Sequence, residues 1–237
     1  MISNYRSLIQ RLRSNSIAVP NSTKKITLVT GASRGFGFSL AMQYAKRGDH
    51  VIALAKTQGG LTELDDAIKN TTGQSATLIP FNLTAPDTAF GMLGQTLFER
   101  FGKIDRLILN AATIGPSSPV AHTKEQDWQN VFAVNVTANV RLLRHLDPLL
   151  RSAGKPHITF ITCTSLGDAY WGAYSASKLA LNQIAASYKA ETAQAGFIVD
   201  CFDPGIMATQ LRRNAFPGED QGTLQTTQEV AAGYCSN

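Results

Sequence analysis

The sequence predicts an α/β fold in which one parallel β-sheet is covered by helices on both faces. Three observations support this prediction. Short runs rich in β-branched residues alternate with helix-length segments from residue 24 onward. Each run is almost continuously apolar, as expected for strands that are buried on both faces. Glycines follow several of the helical segments, where they are typical of helix ends. The length of 237 residues suits one domain of this class.

Six strands and five helices are predicted in alternation. The predicted strands are 26–30, 51–55, 76–80, 106–110, 157–163 and 197–202, and the predicted helices are 37–47, 61–69, 87–101, 124–150 and 172–195. Gly48, Gly102 and Gly196 stand where helices should stop. Right-handed connections between parallel strands then give a doubly wound, Rossmann-type fold with three αβα layers. Most of the chain after Gly205 is predicted to form a short helical flap over a substrate.

Composition argues against several classes of function. The net charge of +5 is spread along the chain, so a nucleic-acid partner is not expected, whereas anionic small molecules are. No apolar run approaches the roughly 20 residues of a membrane span. The four histidines lack metal-ligand spacing, so no metal is predicted. Three cysteines without a C-x-x-C pair favour a reducing, cytoplasmic location, and two of them, Cys163 and Cys201, fall in predicted buried strands.

The first 22 residues form a basic leader, and residues 23–237 form one predicted NAD(P)-binding domain. The leader is rich in Arg and Ser, has no acidic residue and spaces its apolar side chains at helical intervals. An organelle transit peptide has this composition. The favoured alternative is an amphipathic segment that packs on the body of the protein or on a partner subunit, since no cleavage signal follows.

A glycine-rich loop connects the first strand to the first helix, in the run TGASRGFG at 30–37. Gly31 permits a tight turn, residues around Gly35 let the backbone approach a pyrophosphate, and Gly37 lets the helix pack closely on the strand. The helix N-terminus that follows favours an anion. This context predicts a dinucleotide site; the alternative is a glycine-rich turn without a ligand.

The second strand ends without the acidic residue that would bind the ribose hydroxyls of NAD. Lys56 follows that strand instead, and Arg34 lies within the glycine loop. Both can face the 2′-phosphate of NADP(H), which we therefore predict in preference to NAD(H). The alternative for each is a solvated surface charge.

Tyr174 and Lys178 lie four positions apart, so they point from the same face of a helix. A neighbouring ammonium favours the ionised phenol and should lower the pKa of the tyrosine. The helix that carries them follows the fifth strand, which places its start at the carboxyl edge of the sheet. A catalytic pair is one interpretation; two polar residues on a solvated helix face are the other.

With these residues in place, the sequence resembles the short-chain dehydrogenase/reductase family over about residues 24–230. The matching motifs, in order, are T-G-A-S-R-G-F-G at 30–37, Asn135 in FAVNV, Y-S-A-S-K at 174–178 and P-G-I-M-A-T at 204–209. The resemblance implies that Tyr174 is the acid/base, that Lys178 holds the nicotinamide ribose, that Asn135 supports a water in a proton relay and that Thr209 touches the carboxamide. It also implies a homodimer or homotetramer.

The resemblance yields two sets of candidate residues. The catalytic candidates are Asn135, Thr164, Ser165, Tyr174 and Lys178. The candidates for cofactor binding are Gly31, Ser33, Arg34, Gly35, Phe36, Gly37, Lys56, Asn82, Leu83, Asn110, Ala111, Tyr174, Lys178, Pro204, Gly205 and Thr209.

The sequence departs from the family pattern at several points. The interval before Tyr174 is shorter than usual, so either Thr164 or Ser165 can be the residue that orients the substrate, or both can simply end a strand. Asn82 replaces the aspartate that contacts adenine, and Ala112 replaces a glycine beside the cofactor. We expect the last strand of the family to be missing. Either the sequence is truncated and leaves an exposed sheet edge, or the leader or a partner covers that edge.

These residues predict an NADP(H)-dependent oxidoreductase that moves hydride between nicotinamide and a carbonyl or alcohol carbon of a small substrate. The alternative is a catalytically weak NADP(H)-binding sensor or assembly protein, suggested by the departures above. A serine hydrolase is disfavoured because the chain has no G-x-S-x-G motif. Trp171, Phe202 and Phe216 suggest an apolar substrate pocket, with ordinary packing as the alternative.

Overall fold

The computed structural model describes residues 24–164 and 169–236. The predicted basic leader and Ser165 lie outside the described residues. Within them, six parallel strands form one sheet in the order β3-β2-β1-β4-β5-β6. The strands are β1 (Ile26–Thr30), β2 (His50–Ala55), β3 (Thr77–Pro80), β4 (Arg106–Leu109), β5 (His157–Ile161) and β6 (Ile198–Phe202). This order confirms the doubly wound topology, which reverses direction between β1 and β4.

Helices cover both faces of this sheet, which confirms the three-layer prediction. They are α1 (Gly35–Lys46), α2 (Gln58–Thr72), α3 (Asp87–Phe101), α4 (Glu125–Phe132), α5 (Ala138–Ser152), α6 (Gly172–Thr192), α7 (Gln210–Ala215) and α8 (Thr227–Ser236). Gly48, Gly102 and Gly196 have positive φ of 89°, 70° and 75° just beyond their helices, as predicted for helix stops.

The long helix predicted at 124–150 is interrupted. A π-helical turn at Ala133–Thr137 separates α4 from α5. Such turns insert an extra residue into the helical ladder and frequently occur at functional sites. The turn carries Asn135, whose side chain is 1% exposed.

The core consists of two apolar layers, one on each face of the sheet. Successive residues of a strand point to opposite faces, and in β1 Leu28 contributes to one layer while Val29 contributes to the other. Helices α3, α5 and α6 cover the first face, and α1, α2 and α8 cover the second. The described loops at the carboxyl edge of the sheet therefore start from a packed core.

The predicted flap after Gly205 is only partly correct. The short helix α7 follows Gly205, but α8 packs on the sheet layer and buries Ala231 and Cys235. The Ser39 hydroxyl of α1 donates to Thr227 Oγ1 at 2.8 Å, which fastens the start of α8 to α1. The apolar face of α8 explains the difference, since burying it against the sheet is favourable.

Strand β6 lies at one edge of the described sheet, and this position corrects one prediction. Cys201 was predicted to be buried, but it is exposed, as is Ile198 on the same strand. An edge strand lacks a neighbour on one side and is covered less completely than a central strand. Cys163 is half-buried and Cys235 is buried, and none of the three cysteines, all of which lie in the described part of the chain, forms a disulfide.

Among the described residues, no helix combines the length and the apolar character that crossing a membrane would require.

Candidate active site

The predicted cofactor residues lie together at the carboxyl edge of the sheet. They occupy the loop after β1 (Gly31, Ser33, Arg34), the first turn of α1 (Gly35, Phe36, Gly37) and the loops after β2 (Lys56), β3 (Asn82, Leu83), β4 (Asn110, Ala111) and β6 (Pro204, Gly205, Thr209). Ligands of open α/β sheets bind at this edge, beside the point where the strand order reverses. The fold therefore brings these residues to the same edge of the sheet.

The glycine loop packs so closely on the β4 loop that two of its glycines have no room for a side chain. A methyl group on Gly37 would lie 2.4 Å from Asn110 Nδ2 and 2.5 Å from the Gly31 carbonyl oxygen. Asn110 in turn donates from Nδ2 to the Thr30 carbonyl at 2.9 Å. Gly31 also has a positive φ of 68°. The loop is thus an open cradle of backbone, which suits a pyrophosphate.

A second contact supports the glycine loop from α2, and sequence reasoning missed it. A methyl group on Gly60 would lie 2.5 Å from the Ser33 carbonyl oxygen, so the first turn of α2 touches the backbone of the loop. The neighbouring Gly59 has nothing within 4 Å of the equivalent position. The Q-G-G run at 58–60 is a usable sequence signal only once α2 is known to start beside the loop.

Two cations flank this cradle. Arg34 and Lys56 are both exposed, and the Ala32 N–H donates to the Leu54 carbonyl, which joins the loop to β2. The side chain of Phe36, in contrast, is buried and stacks on Phe202 at 6.0 Å. Phe36 can therefore offer only its backbone to a ligand. The residues present fit a dinucleotide with an additional negative charge near Arg34 and Lys56.

Asn82 forms a turn of its own after β3. Its Oδ1 accepts from the Thr84 N–H at 3.2 Å and from the Thr84 hydroxyl at 3.0 Å. Leu83, next to it, is buried. A carbonyl oxygen has two lone pairs, and here both have internal donors. The sequence predicts that this oxygen accepts a hydrogen bond from adenine. In the structure the Thr84 N–H and hydroxyl compete with adenine for it.

Tyr174 and Lys178 lie at the start of α6, as predicted. Lys178 is 3% exposed, its Nζ donates to the Ile161 carbonyl at 2.8 Å, and it lies 5.7 Å from the centre of the Tyr174 ring. Burial lowers the pKa of Lys178 to about 8. Burial also raises the pKa of Tyr174. The predicted lowering of the tyrosine pKa was therefore wrong, because desolvation of the phenol dominates in this structure.

A hydrogen-bonded network fixes the start of α6 to the π-helical turn. Asn135 Oδ1 accepts from the Thr113 N–H at 2.8 Å, and Nδ2 donates to the Thr113 carbonyl and the Ser177 hydroxyl, each at 2.9 Å. Ser177 donates to the Tyr174 carbonyl at 2.7 Å. Asn135 thus joins the loop after β4 to α6 through its side chain. Ser177 is the second residue that sequence reasoning missed, although it lies within the Y-S-A-S-K motif.

Asp203 is a third missed residue, and it joins the ends of β5 and β6. Its Oδ2 accepts from the N–H of Thr164 at 2.6 Å and from the Thr164 hydroxyl, and its Oδ1 accepts from the Gly205 N–H at 2.9 Å. Burial raises the pKa of Asp203, but the hydrogen bonds from Thr164 and Gly205 and the charge of Lys178 outweigh it, so the net pKa is below its ordinary value. The hydroxyl of Thr164 is thereby occupied.

An open cleft lies next to Tyr174. We call it the substrate cleft; its apolar lining consists of Ile114, Pro116, Val131, Tyr170, Trp171 and Ala173. Trp171 also contacts Phe216, with ring centres 5.9 Å apart, and the Arg212 guanidinium lies 3.7 Å from the Phe216 ring centre. The segment after α7 is therefore fastened beside the cleft. Of the three predicted pocket aromatics, Phe202 packs instead on Tyr234 of α8.

A family model described as short chain dehydrogenase matches residues 25–220. The chain belongs to the short-chain dehydrogenase family. It is 35% identical over 214 residues to the oxidoreductase YciK of Escherichia coli K12, covering 89% of this chain and 84% of YciK. It is 29% identical to an NADPH-dependent pterin aldehyde reductase of Arabidopsis thaliana, covering 81% and 78%.

Solved structures of this family have the same fold. A short chain dehydrogenase from Escherichia coli CFT073 complexed with NADPH superposes with a TM-score of 0.85 at 32% identity, covering 91% of this chain and 92% of that one. The chain is therefore an NAD(P)-dependent oxidoreductase of the short-chain dehydrogenase family. The glycine cradle fits such a nucleotide. Its glycines have no room for side chains, and two exposed cations lie beside it.

The contact between α2 and the glycine loop can be tested with adjacent glycines. In Gly60→Ala the new methyl group displaces the Ser33 backbone, and we expect the Kd for NADPH to rise about tenfold, equivalent to about 1.4 kcal/mol. Gly59→Ala is the matched control, since its methyl group meets nothing within 4 Å, and it should bind NADPH like the wild type. Fluorescence titration measures both. Equal affinity in the two variants would show that the contact does not shape the site.

Proposed function

We propose that this chain is an NADP(H)-dependent carbonyl reductase, or in reverse an alcohol dehydrogenase, with Tyr174 as the acid/base. One observation carries the proposal. Half-buried Tyr174 and buried Lys178 lie at the start of a helix at the carboxyl edge of the sheet. Tyr174 itself lines the cleft in which a small substrate can bind. The pterin aldehyde reductase is NADPH-dependent by name, and this supports the direction of reduction.

The reaction transfers two electrons and two hydrogens to a C=O group. The bound nicotinamide supplies the hydride to the carbonyl carbon. The Tyr174 hydroxyl donates its proton to the carbonyl oxygen, which gives the alcohol, and solvent then returns a proton to the tyrosine. Because burial raises its pKa, the phenol holds its proton at neutral pH and is ready to act as an acid. The Lys178 ammonium stabilises the negative charge that the phenol oxygen gains during transfer.

We assign the orientation of the substrate carbonyl to Ser165. Thr164 is the other candidate, but its hydroxyl donates to the Asp203 carboxylate. Asn135 bonds to Thr113 and to Ser177 and so fixes the start of α6 beside the cleft. We also propose the water relay at Asn135, a homodimeric or homotetrameric assembly and a cytoplasmic location, all as the sequence predicts.

A catalytically weak NADP(H) sensor is the second candidate. The engagement of the Thr164 hydroxyl by Asp203 favours it, because one of the two candidate donors for the substrate is then unavailable. Nucleotide binding without turnover of any aldehyde or ketone would support the sensor, whereas turnover of a single carbonyl compound supports the reductase.

Replacing the phenol separates chemistry from binding. Tyr174→Phe should lower kcat for carbonyl reduction by at least about 100-fold, since a positioned acid contributes roughly 10²–10⁴, and should change the Kd for NADPH less than about threefold. Tyr188→Phe is the control, because it removes a hydroxyl from the same helix far from the cleft. NADPH absorbance gives the rates. Unchanged turnover in Tyr174→Phe would contradict the mechanism.

Preference for NADP(H) over NAD(H) is proposed to rest on Arg34 and Lys56. Arg34→Ala should raise the Kd for NADPH about tenfold, the size expected for an exposed charge-assisted hydrogen bond, and leave the Kd for NADH within about twofold. Lys25→Ala, an exposed cation at the opposite edge of the sheet, serves as the control. Equal losses for both nucleotides would mean that Arg34 does not contact the 2′-phosphate.

A further inference from the structure

The substrate cleft is a built site with a fixed rim. The Ser118 N–H donates to the Tyr170 carbonyl at 3.1 Å, which ties the loop after β4 to the residues before α6. A methyl group on Gly115 would lie 2.8 Å from Val131 Cγ2, so this loop lies directly on the α4 side chain. The two walls of the cleft are therefore held against each other by contacts of their own.

Tyr170 occupies an uncommon backbone conformation at this rim. Its φ is 73°, and among the described residues it is the one non-glycine residue with positive φ. A side chain makes this conformation unfavourable, and such residues concentrate at ligand sites. Its ring is 57% exposed. An exposed aromatic ring held in a strained conformation next to the proposed acid points to a ligand that the ring contacts.

The charge of the cleft is equally informative. The polar lining among the described residues consists of Ser118, Thr123, Asp127 and Tyr174, so Asp127 contributes a carboxylate and no lysine or arginine opposes it. A negative substrate would meet this carboxylate in a partly desolvated cleft, which is unfavourable.

We propose that the substrate is a small, neutral aryl ketone or aryl aldehyde. This inference rests on the proposed function and names the substrate class for the same site. The flat apolar part of the molecule lies among Ile114, Pro116, Tyr170 and Trp171, which places its carbonyl toward Tyr174. Aromatic rings pair favourably with such a lining, and an uncharged ring leaves Asp127 solvated. The products are the alcohol and oxidised NADP⁺, with the proton supplied by Tyr174 as above.

Matched substrates test the charge requirement. Methyl para-acetylbenzoate and para-acetylbenzoate share the ketone and the ring and differ in charge. We expect the neutral ester to have a kcat/KM at least tenfold higher. In Asp127→Asn this ratio should fall about fivefold, as expected for one partly screened charge. Glu125→Gln is the control, because Glu125 is an acidic residue of the same helix that does not line the cleft, and it should keep the wild-type ratio.

A binding measurement keeps this inference distinct from the proposed function. The chain has two tryptophans, so Trp128→Phe leaves Trp171 as the only indole. Acetophenone should quench Trp171 saturably, whereas cyclohexyl methyl ketone and para-acetylbenzoate should not.

Saturable quenching without any turnover would support the aryl-binding site and contradict the proposed reductase activity. If the aliphatic ketone or the carboxylate is instead reduced as fast as the neutral aryl ketones, that result would support the reductase activity and contradict the preference for neutral aryl substrates.

Discussion

The burial of one ammonium group constrains the whole site. Lys178 belongs to α6, and its Nζ donates to the carbonyl of Ile161, the last residue of β5. Desolvation lowers its pKa from 10.5 to about 8, and a difference of this size corresponds to roughly 3 kcal/mol of stability. Because the folded-state pKa is lower than the unfolded one, this cost is fully present below pH 8 and disappears as the pH rises past 10.5. A buried charge with this cost is expected where the charge has a function. Here the charge lies beside Tyr174, 5.7 Å from the centre of its ring.

Hydrogen bonds also join the structural elements around this amine to one another. Asn135 joins the loop after β4 to the start of α6 through Thr113 and Ser177, and Asp203 joins the end of β5 to the loop after β6. The carboxylate also adds a negative charge near Lys178. Because these links connect neighbouring loops, the cradle for the nucleotide and the cleft for the substrate are positioned together. Catalytic geometry tolerates little displacement, so such cross-links have a direct functional value.

Most of the fold was predictable from the sequence, since apolar runs and glycine stops are local signals. The glycine loop and the Tyr174 and Lys178 pair were predictable for the same reason. The residues that were missed depend on tertiary neighbours. Gly60 matters because α2 starts beside Ser33, and Asp203 matters because β6 pairs with β5. The exposure of Cys201 follows from the edge position of its strand, and the π-helical turn follows from the bonds of Asn135. Spacing along the chain carries none of this information.

The protonation of Lys178 tests the central claim most directly. With lysine labelled by ¹³C at Cε, an NMR titration of the protein, compared with Lys178→Met to assign the resonance, reports the pKa of this amine alone. We expect a pKa near 8 for Lys178, well below the ordinary value of 10.5. A value near 10.5 would mean that the amine is solvated, away from the Ile161 carbonyl and the Tyr174 ring, and would contradict the arrangement on which the proposed chemistry depends.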